Sequence, residues 1–113
     1  MIITKAEPFS KEEIKKLQEK FDTYIKTVID VGKRICSAGV DRHFEAERIL
    51  LEQGSSQSDL WGGGVDLESK TIDGNSFINI RPQDGNLSNE IQDANIRKEF
   101  EKLTKYFFKE IYE

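Results

Sequence analysis

The stretch from Ile25 to Cys36, IKTVIDVGKRIC, decides the fold. Between Ile25 and Val31, β-branched residues recur at every second position, a period of two that is typical of a strand with one buried face. Gly32 and Lys33 predict a two-residue turn, after which the chain returns through Arg34–Cys36. The stretch therefore predicts a β-hairpin, and the other elements are expected to pack around it.

Helices are predicted on both sides of this hairpin. Ser10 and Glu13 have the spacing of a capping box, which starts a helix. Its apolar positions follow at helical spacing, namely Ile14, Leu17, Phe21 and then Tyr24 or Ile25. A second helix is predicted over Asp41–Gln53, closed by Gly54, and a last helix over Asp93–Tyr112.

Three more segments read as strands. Ile2–Thr4 predicts a short edge strand, Trp61–Leu67 a third sheet strand and Ser76–Arg81 the last strand. The resulting order is β-α-β-β-α-β-β-α. We therefore expect an α+β fold in which three helices pack against a mostly antiparallel sheet of four to five strands, forming one domain over residues 1–113.

Composition limits the classes of function. The 113 residues carry a formal net charge of −4, which argues against nucleic acid as a partner. No segment approaches the roughly 20 apolar residues that cross a bilayer, so no membrane partner is expected. Because Cys36 is the single cysteine and the first residues lack a signal-peptide pattern, a cytoplasmic location is predicted.

The loop from Phe77 to Ser88, FINIRPQDGNLS, is the first candidate site. Arg81 can grip a carboxylate or phosphate in two places, and turn amides add aligned dipoles. Asn79, Asn86 and Ser88 supply further polar groups, so the loop predicts a ligand-binding site for a small anion. Alternatively, these residues only turn and cap the chain.

A second candidate is the segment RHFEAER, in which the only histidine, His43, precedes Glu47 by four residues. On a helix this spacing places both side chains on one face, where Glu47 could orient His43 as a proton carrier. The alternative is an ordinary ion pair at a solvated helix end. Two such ligands do not make a zinc site, so no metal is predicted.

Asp30 and Trp61 are weaker candidates. Asp30 interrupts VIDVG; if its face is covered it needs a partner such as Arg81 or Arg34, and otherwise it is solvated. Trp61 could wall a pocket or simply fill the core. The three glycines that follow Trp61 predict a bulge or a close backbone approach. They lack the lysine and the spacing of phosphate or dinucleotide fingerprints, so no cofactor is predicted.

The segments VIDVGKRI, HFEAERILLEQGSSQSDLWGG and INIRPQDGNLSNEI together resemble a family of small bacterial and archaeal proteins, domain of unknown function 5674. The resemblance covers nearly the whole chain and brings no assigned activity. It implies that the matching polar residues are the ones to test, namely Asp30, His43, Glu47, Asn79, Arg81, Asn86 and Ser88. Glu45, Gly64 and Leu87 depart from the family pattern, and the loss of an arginine at Leu87 weakens a phosphate clamp.

Two functions fit these residues. The first is a protein that binds a small phosphate or carboxylate compound where His43, Glu47 and Arg81 meet Asn86 and Ser88, with hydrolysis as its catalytic version. The second is a protein–protein interaction module or homodimer that uses an edge strand and the aromatics near the C-terminal end, Tyr106, Phe107, Phe108 and Tyr112. A ribonuclease-like toxin fits the size of the chain but not its acidic balance.

Overall fold

A computed structural model describes residues 1–21 and 23–112, without the side chains of residues 19–21. The strands are β1 (Ile3–Lys5), β2 (Tyr24–Asp30), β3 (Ile35–Ala38), β4 (Leu60–Asp66) and β5 (Ile72–Asp73). The α-helices are α1 (Lys11–Phe21), α2 (His43–Glu52), α3 (Ala94–Phe107) and the single turn α4 (Lys109–Tyr112). The predicted position of Phe21 in the apolar stripe lies outside the described side chains.

The five strands form one antiparallel sheet in the order β1-β3-β2-β4-β5. The predicted hairpin of β2 and β3 is confirmed, but its turn spans residues 31–34 instead of two residues. The reason is the side chain of Asp30, whose Oδ1 accepts hydrogen bonds from the backbone N–H groups of Gly32 and Lys33. These bonds stabilise a wider turn, which Arg34 leaves with a positive φ of 60°.

The two faces of the sheet carry separate apolar clusters. On one face α1 and α3 pack over the larger core, which includes Phe9, Leu17, Ile25, Ile29, Trp61, Phe100, Leu103 and Phe107. On the other face α2 packs over a smaller cluster of Val28, Val40, Ala46, Leu50 and Leu60. Alternate residues of β2 serve the two clusters, as the period of a strand requires. The predicted α+β fold and element order are thus confirmed.

Helix ends agree with the capping chemistry of the sequence. Ser10 and Glu13 form the predicted capping box, with reciprocal bonds of 2.8 and 3.1 Å between backbone N–H groups and side-chain oxygens. Asp93 caps α3 through its Oδ1. The predicted last helix is interrupted at Phe108, where a turn separates α3 from α4. Phe108 is fully buried, with its ring centroid 5.1 Å from that of Phe9.

The predicted strand Ser76–Arg81 is wrong. The fifth strand lies earlier, and the segment instead contains a short 3-10 turn, Phe77–Asn79, which is followed by a second one at Pro82–Asp84. Ser76 Oγ accepts a hydrogen bond from the N–H of Ile78, which starts the first turn. At Gly62, the edge of β4 is bonded by a side chain, that of Asn79, and not by a further strand.

Candidate functional site

Asn79 takes the place of a missing strand at the edge of β4. Its Oδ1 accepts from the N–H of Gly62 at 2.8 Å, and its Nδ2 donates to the carbonyl of the same glycine at 2.9 Å. Nδ2 also donates to the carbonyls of Gly74 and Asn89, at 3.0 and 2.9 Å. The side chain is fully buried. Asn79 therefore fastens three separate stretches of main chain to one another.

Asn86 fastens the next part of the loop in the same manner. Its Nδ2 donates to the carbonyls of Asn79, Ser88 and Glu90 at 2.8 to 2.9 Å, and its Oδ1 accepts from the N–H of Gln92. The hydroxyl of Ser88 accepts from the N–H of Glu90 at 3.1 Å. Both N–H groups of the Asn86 amide are thus taken up by nearby main-chain carbonyls.

Arg81 and Trp61 form a buried stacked pair. The guanidinium carbon of Arg81 lies 4.2 Å from the centroid of the Trp61 ring, and both residues are 3% exposed. Arg81 Nη1 donates to the carbonyls of Gln57 and Leu60, and Nε lies 3.2 Å from a carboxylate oxygen of Asp84. Burial lowers the pKa of Arg81, and Asp84 opposes that effect. Most of the polar edge of Arg81 therefore faces protein atoms.

Asp30 is fully buried, and its partners are not the arginines considered from the sequence. In addition to the two turn N–H groups, its Oδ2 accepts from the hydroxyl of Ser55 at 2.6 Å. The carboxylate is therefore compensated by three short hydrogen bonds, as a buried charge requires. It ties the β2–β3 turn to the segment that follows α2.

His43 lies at the first position of α2, above the glycines of β4. Its Nε2 is 2.7 Å from the carbonyl oxygen of Gly63. Because a carbonyl can only accept, Nε2 carries the hydrogen, and Nδ1 of the neutral ring keeps its lone pair. Burial lowers the pKa of His43 from its ordinary value, so the free protein holds a neutral ring at pH 7. Within the described residues, Glu47 makes no hydrogen bond to His43.

The glycines of β4 permit this close approach. A Cβ on Gly62 would stand 2.6 Å from Ser76 Cβ and 3.1 Å from His43 Cδ2. On Gly63 a Cβ would meet the carbonyl oxygen of Asp73, and on Gly64 it would meet the ring of Tyr24. The close backbone approach predicted from the three glycines is therefore confirmed.

Beside His43 lies a groove of about 380 Å³ between the start of α2, strand β2 and the Phe77–Asn79 turn. We call it the His43 groove. Its polar lining consists of Lys26, Arg42, His43 and Ser76, and its apolar lining of Phe44, Phe77 and Ile78. A second cavity of about 240 Å³ shares Lys26, His43, Ser76 and Phe77 and adds Asn75 and Asn89. The two cavities therefore lie side by side and share four lining residues.

Of the residues predicted for a site, His43 is the one that lines these two cavities within the described part of the chain. Asp30, Glu47, Trp61, Asn79, Arg81, Asn86 and Ser88 lie outside the lining. Lys26, Arg42 and Phe77 also line the groove and were not predicted from the sequence. A signal for Arg42 was present, since it directly precedes His43 at a predicted helix start, whereas Phe77 was assigned to a strand that does not form.

The C-terminal aromatics are mostly used inside the molecule. Phe107 and Phe108 are fully buried, and the hydroxyl of Tyr112 donates to the carbonyl of Lys70. Tyr106 is 39% exposed and packs edge-on against Phe107, with Arg34 over its ring. Of the four aromatics predicted to form a contact surface, Tyr106 is therefore the one with an exposed side chain.

Comparison with known proteins gives one match. A family model described as Protein of unknown function (DUF5674) covers residues 1–107. Neither the curated proteins nor the solved structures yield a match. Across residues 1–21 and 23–112, no helix has the length and apolar character to cross a membrane, and no three His, Cys, Asp or Glu side chains cluster to hold a metal ion. Because the family model spans nearly the whole chain, the protein belongs to the DUF5674 family.

Proposed function

We propose that the protein binds a small phosphate or carboxylate compound in the His43 groove. One observation carries the proposal: the ionisable side chains in the lining, Lys26, Arg42 and His43, are all basic. In a chain with a net charge of −4, a concave surface without acidic lining is a local exception. A depression of about 380 Å³ also falls within the range of small-molecule sites.

Each basic group has capacity left for a ligand. Lys26 Nζ donates to the carbonyl of Asp41 at 2.7 Å, and an ammonium has further donors with which it can reach an anion. Arg42 is exposed and precedes the first residue of α2, so its planar guanidinium can grip an oxyanion in two places. The groove also lies at the amino end of α2, where the helix dipole adds a weak attraction.

His43 makes the proposed binding dependent on pH. Burial and the charge of Lys26 lower its pKa, whereas the hydrogen bond to Gly63 and the charge of Asp73 oppose that effect. An anion in the groove would favour the charged imidazolium and raise the pKa of His43 again. Binding is therefore coupled to uptake of a proton, and affinity should increase as the pH falls through the pKa of His43 in the complex.

The proposal is tested by calorimetric titration of inorganic phosphate and pyrophosphate into the protein. Lys26→Met and Arg42→Met should each weaken binding about tenfold, the effect of losing one charge-assisted hydrogen bond of ~1.5 kcal/mol. Lys102→Met and Arg48→Met are matched controls, because both side chains are exposed and lie outside the groove. The controls remove the same charge and should bind as the wild type does.

Two results would contradict the proposal. One is absence of saturable binding by either anion, and the other is an equal loss of affinity in the groove variants and the controls. The second result would mean that net charge, and not the groove, determines binding. A thermal melt of each variant verifies that its fold is retained.

The roles assigned from the sequence to Asp30, Glu47, Trp61, Asn79, Arg81, Asn86 and Ser88 stay predictions. In our proposal Asn79 acts indirectly, because it fixes β4 against the turn that carries Phe77. The cytoplasmic location is part of the proposal too, supported by Cys36, which is the only cysteine and is buried as a free thiol.

A further inference from the structure

We infer that the ligand of the His43 groove is a nucleotide, a nucleoside monophosphate whose base stacks on Phe77. The inference rests on the proposed function, since it takes the basic side of the groove as the phosphate site. It adds an aromatic base to the ligand, a group that an inorganic anion lacks.

Phe77 is the main observation. Its side chain is 81% exposed, a larger exposed fraction than that of any other large hydrophobic side chain among the described residues. The backbone of its turn is nevertheless held in place, because Ser76 Oγ accepts a hydrogen bond at the start of the turn and the Asn79 side chain anchors the other end. An aromatic ring on a fixed turn loses little entropy when a flat ligand stacks on it.

Phe77 is joined by a second exposed aromatic ring in the same groove. Phe44 is 47% exposed, and both rings line the cavity beside Lys26 and Arg42. Ile78 adds further apolar surface. The groove thus combines a flat apolar wall with a basic one, which matches a nucleobase and a phosphate joined in one molecule.

The adjoining cavity offers groups that can recognise the polar edge of a base or the hydroxyls of a sugar. It is lined by Asn75 and Asn89, both exposed, whose side-chain amides make no hydrogen bond to other described residues. An amide carries a donor and an acceptor, as a base edge or ribose requires. Phe77 borders both cavities, so a base stacked there would lie between the phosphate site and these amides.

A free mononucleotide fits better than a nucleic-acid strand. The net charge of −4 opposes a polyanion that extends beyond the groove, and the basic lining consists of Lys26, Arg42 and His43. A single phosphate can pair with these three basic side chains. The specific base is not set by stacking, since every base has a flat face.

The experiment is calorimetric titration of phosphate, ribose 5-phosphate, AMP and a single-stranded RNA hexamer at one salt concentration. AMP should bind about 5- to 140-fold more tightly than ribose 5-phosphate, which converts a stacking energy of ~1–3 kcal/mol at 1.4 kcal/mol per tenfold. Phe77→Ala should remove most of this difference between AMP and ribose 5-phosphate. Leu87→Ala is the matched control, because Leu87 is 70% exposed and lies outside the groove.

The outcomes separate the two proposals. If phosphate binds but AMP gains nothing over ribose 5-phosphate, the nucleotide is refuted and the anion site stands. If AMP gains affinity and Phe77→Ala retains that gain, stacking on Phe77 is refuted. Tighter binding of the RNA hexamer than of AMP would overturn the choice of a free nucleotide. If none of the four ligands binds, both proposals fail.

Discussion

The side chain of Asn79 offers the clearest quantitative prediction, because its four hydrogen bonds are all to main-chain groups. Asn79→Ala removes them and leaves the N–H and C=O of Gly62 and the carbonyls of Gly74 and Asn89 without this partner. Because the two hydrogens of Nδ2 are shared among three carbonyls, the four contacts amount to about three full bonds. At a net ~1 kcal/mol for each, the free energy of unfolding should fall by about 3 kcal/mol. This is a large share of the ~5–15 kcal/mol of a typical domain.

Asn79→Asp sharpens the test, since the two side chains have the same shape. The carboxylate can still accept from the N–H of Gly62, but it has no hydrogen to donate to the three carbonyls and would repel them. We therefore expect Asn79→Asp to destabilise at least as much as Asn79→Ala. Urea unfolding followed by circular dichroism measures both variants, with Asn95→Ala on the exposed side of α3 as the control.

The reasoning would be refuted if Asn79→Ala changed the free energy of unfolding by less than about 1 kcal/mol, the change expected when only one of the bonds matters. A selective loss of phosphate binding in a variant of unchanged stability would be equally informative. It would mean that Asn79 contacts the ligand directly, as the sequence first suggested, and that its main-chain bonds are dispensable.

Three further predictions concern stability. Gly63→Ala should destabilise by about 3 kcal/mol in urea unfolding, because its Cβ would overlap the backbone carbonyl of Asp73, which cannot rotate away; wild-type stability would contradict this. Arg81→Lys should cost about 2–4 kcal/mol by the same assay, because lysine cannot keep both carbonyl bonds and the planar stack on Trp61; a change below about 1 kcal/mol would show the pair to be unimportant. The pKa of His43 is lower in the folded state, so the unfolded state takes up the proton at a higher pH. The contribution of His43 to stability is therefore fully present above about pH 6.5 and is lost as the pH falls below it. Unfolding at several pH values should show a steeper decline for the wild type than for His43→Gln, and parallel curves would contradict a depressed pKa.

The sequence predicted those parts of the fold that depend on local chemistry. The period of two in β2 and the capping box at Ser10 are readable within a few residues, and both form as expected. Failure came where a side chain replaced a backbone partner. Ser76–Arg81 has the composition of a strand, but Asn79 occupies the edge of β4 with its amide, a long-range substitution that no local pattern reveals.

The candidate site was harder to predict than the fold for a related reason. Polar residues such as Arg81 and Asn86 stood out in the sequence because local structure did not require them. The carbonyl partners of Arg81 lie more than 20 residues away along the chain, whereas those of Asn86 lie within its own loop region. Lys26 and Arg42 looked like ordinary surface charges, and only the folded sheet and helix place them beside His43. Residue type alone could not distinguish a polar residue that holds the fold together from one that lines the groove.

The most direct test of the His43 groove uses its histidine as the reporter, since the chain has no other. The pKa of His43 is measured by NMR from the Hε1 resonance, with and without saturating phosphate, on protein without a histidine tag. Binding in the groove predicts that phosphate raises the pKa of His43 and that the rise saturates. An identical titration curve with and without phosphate would contradict anion binding at this position.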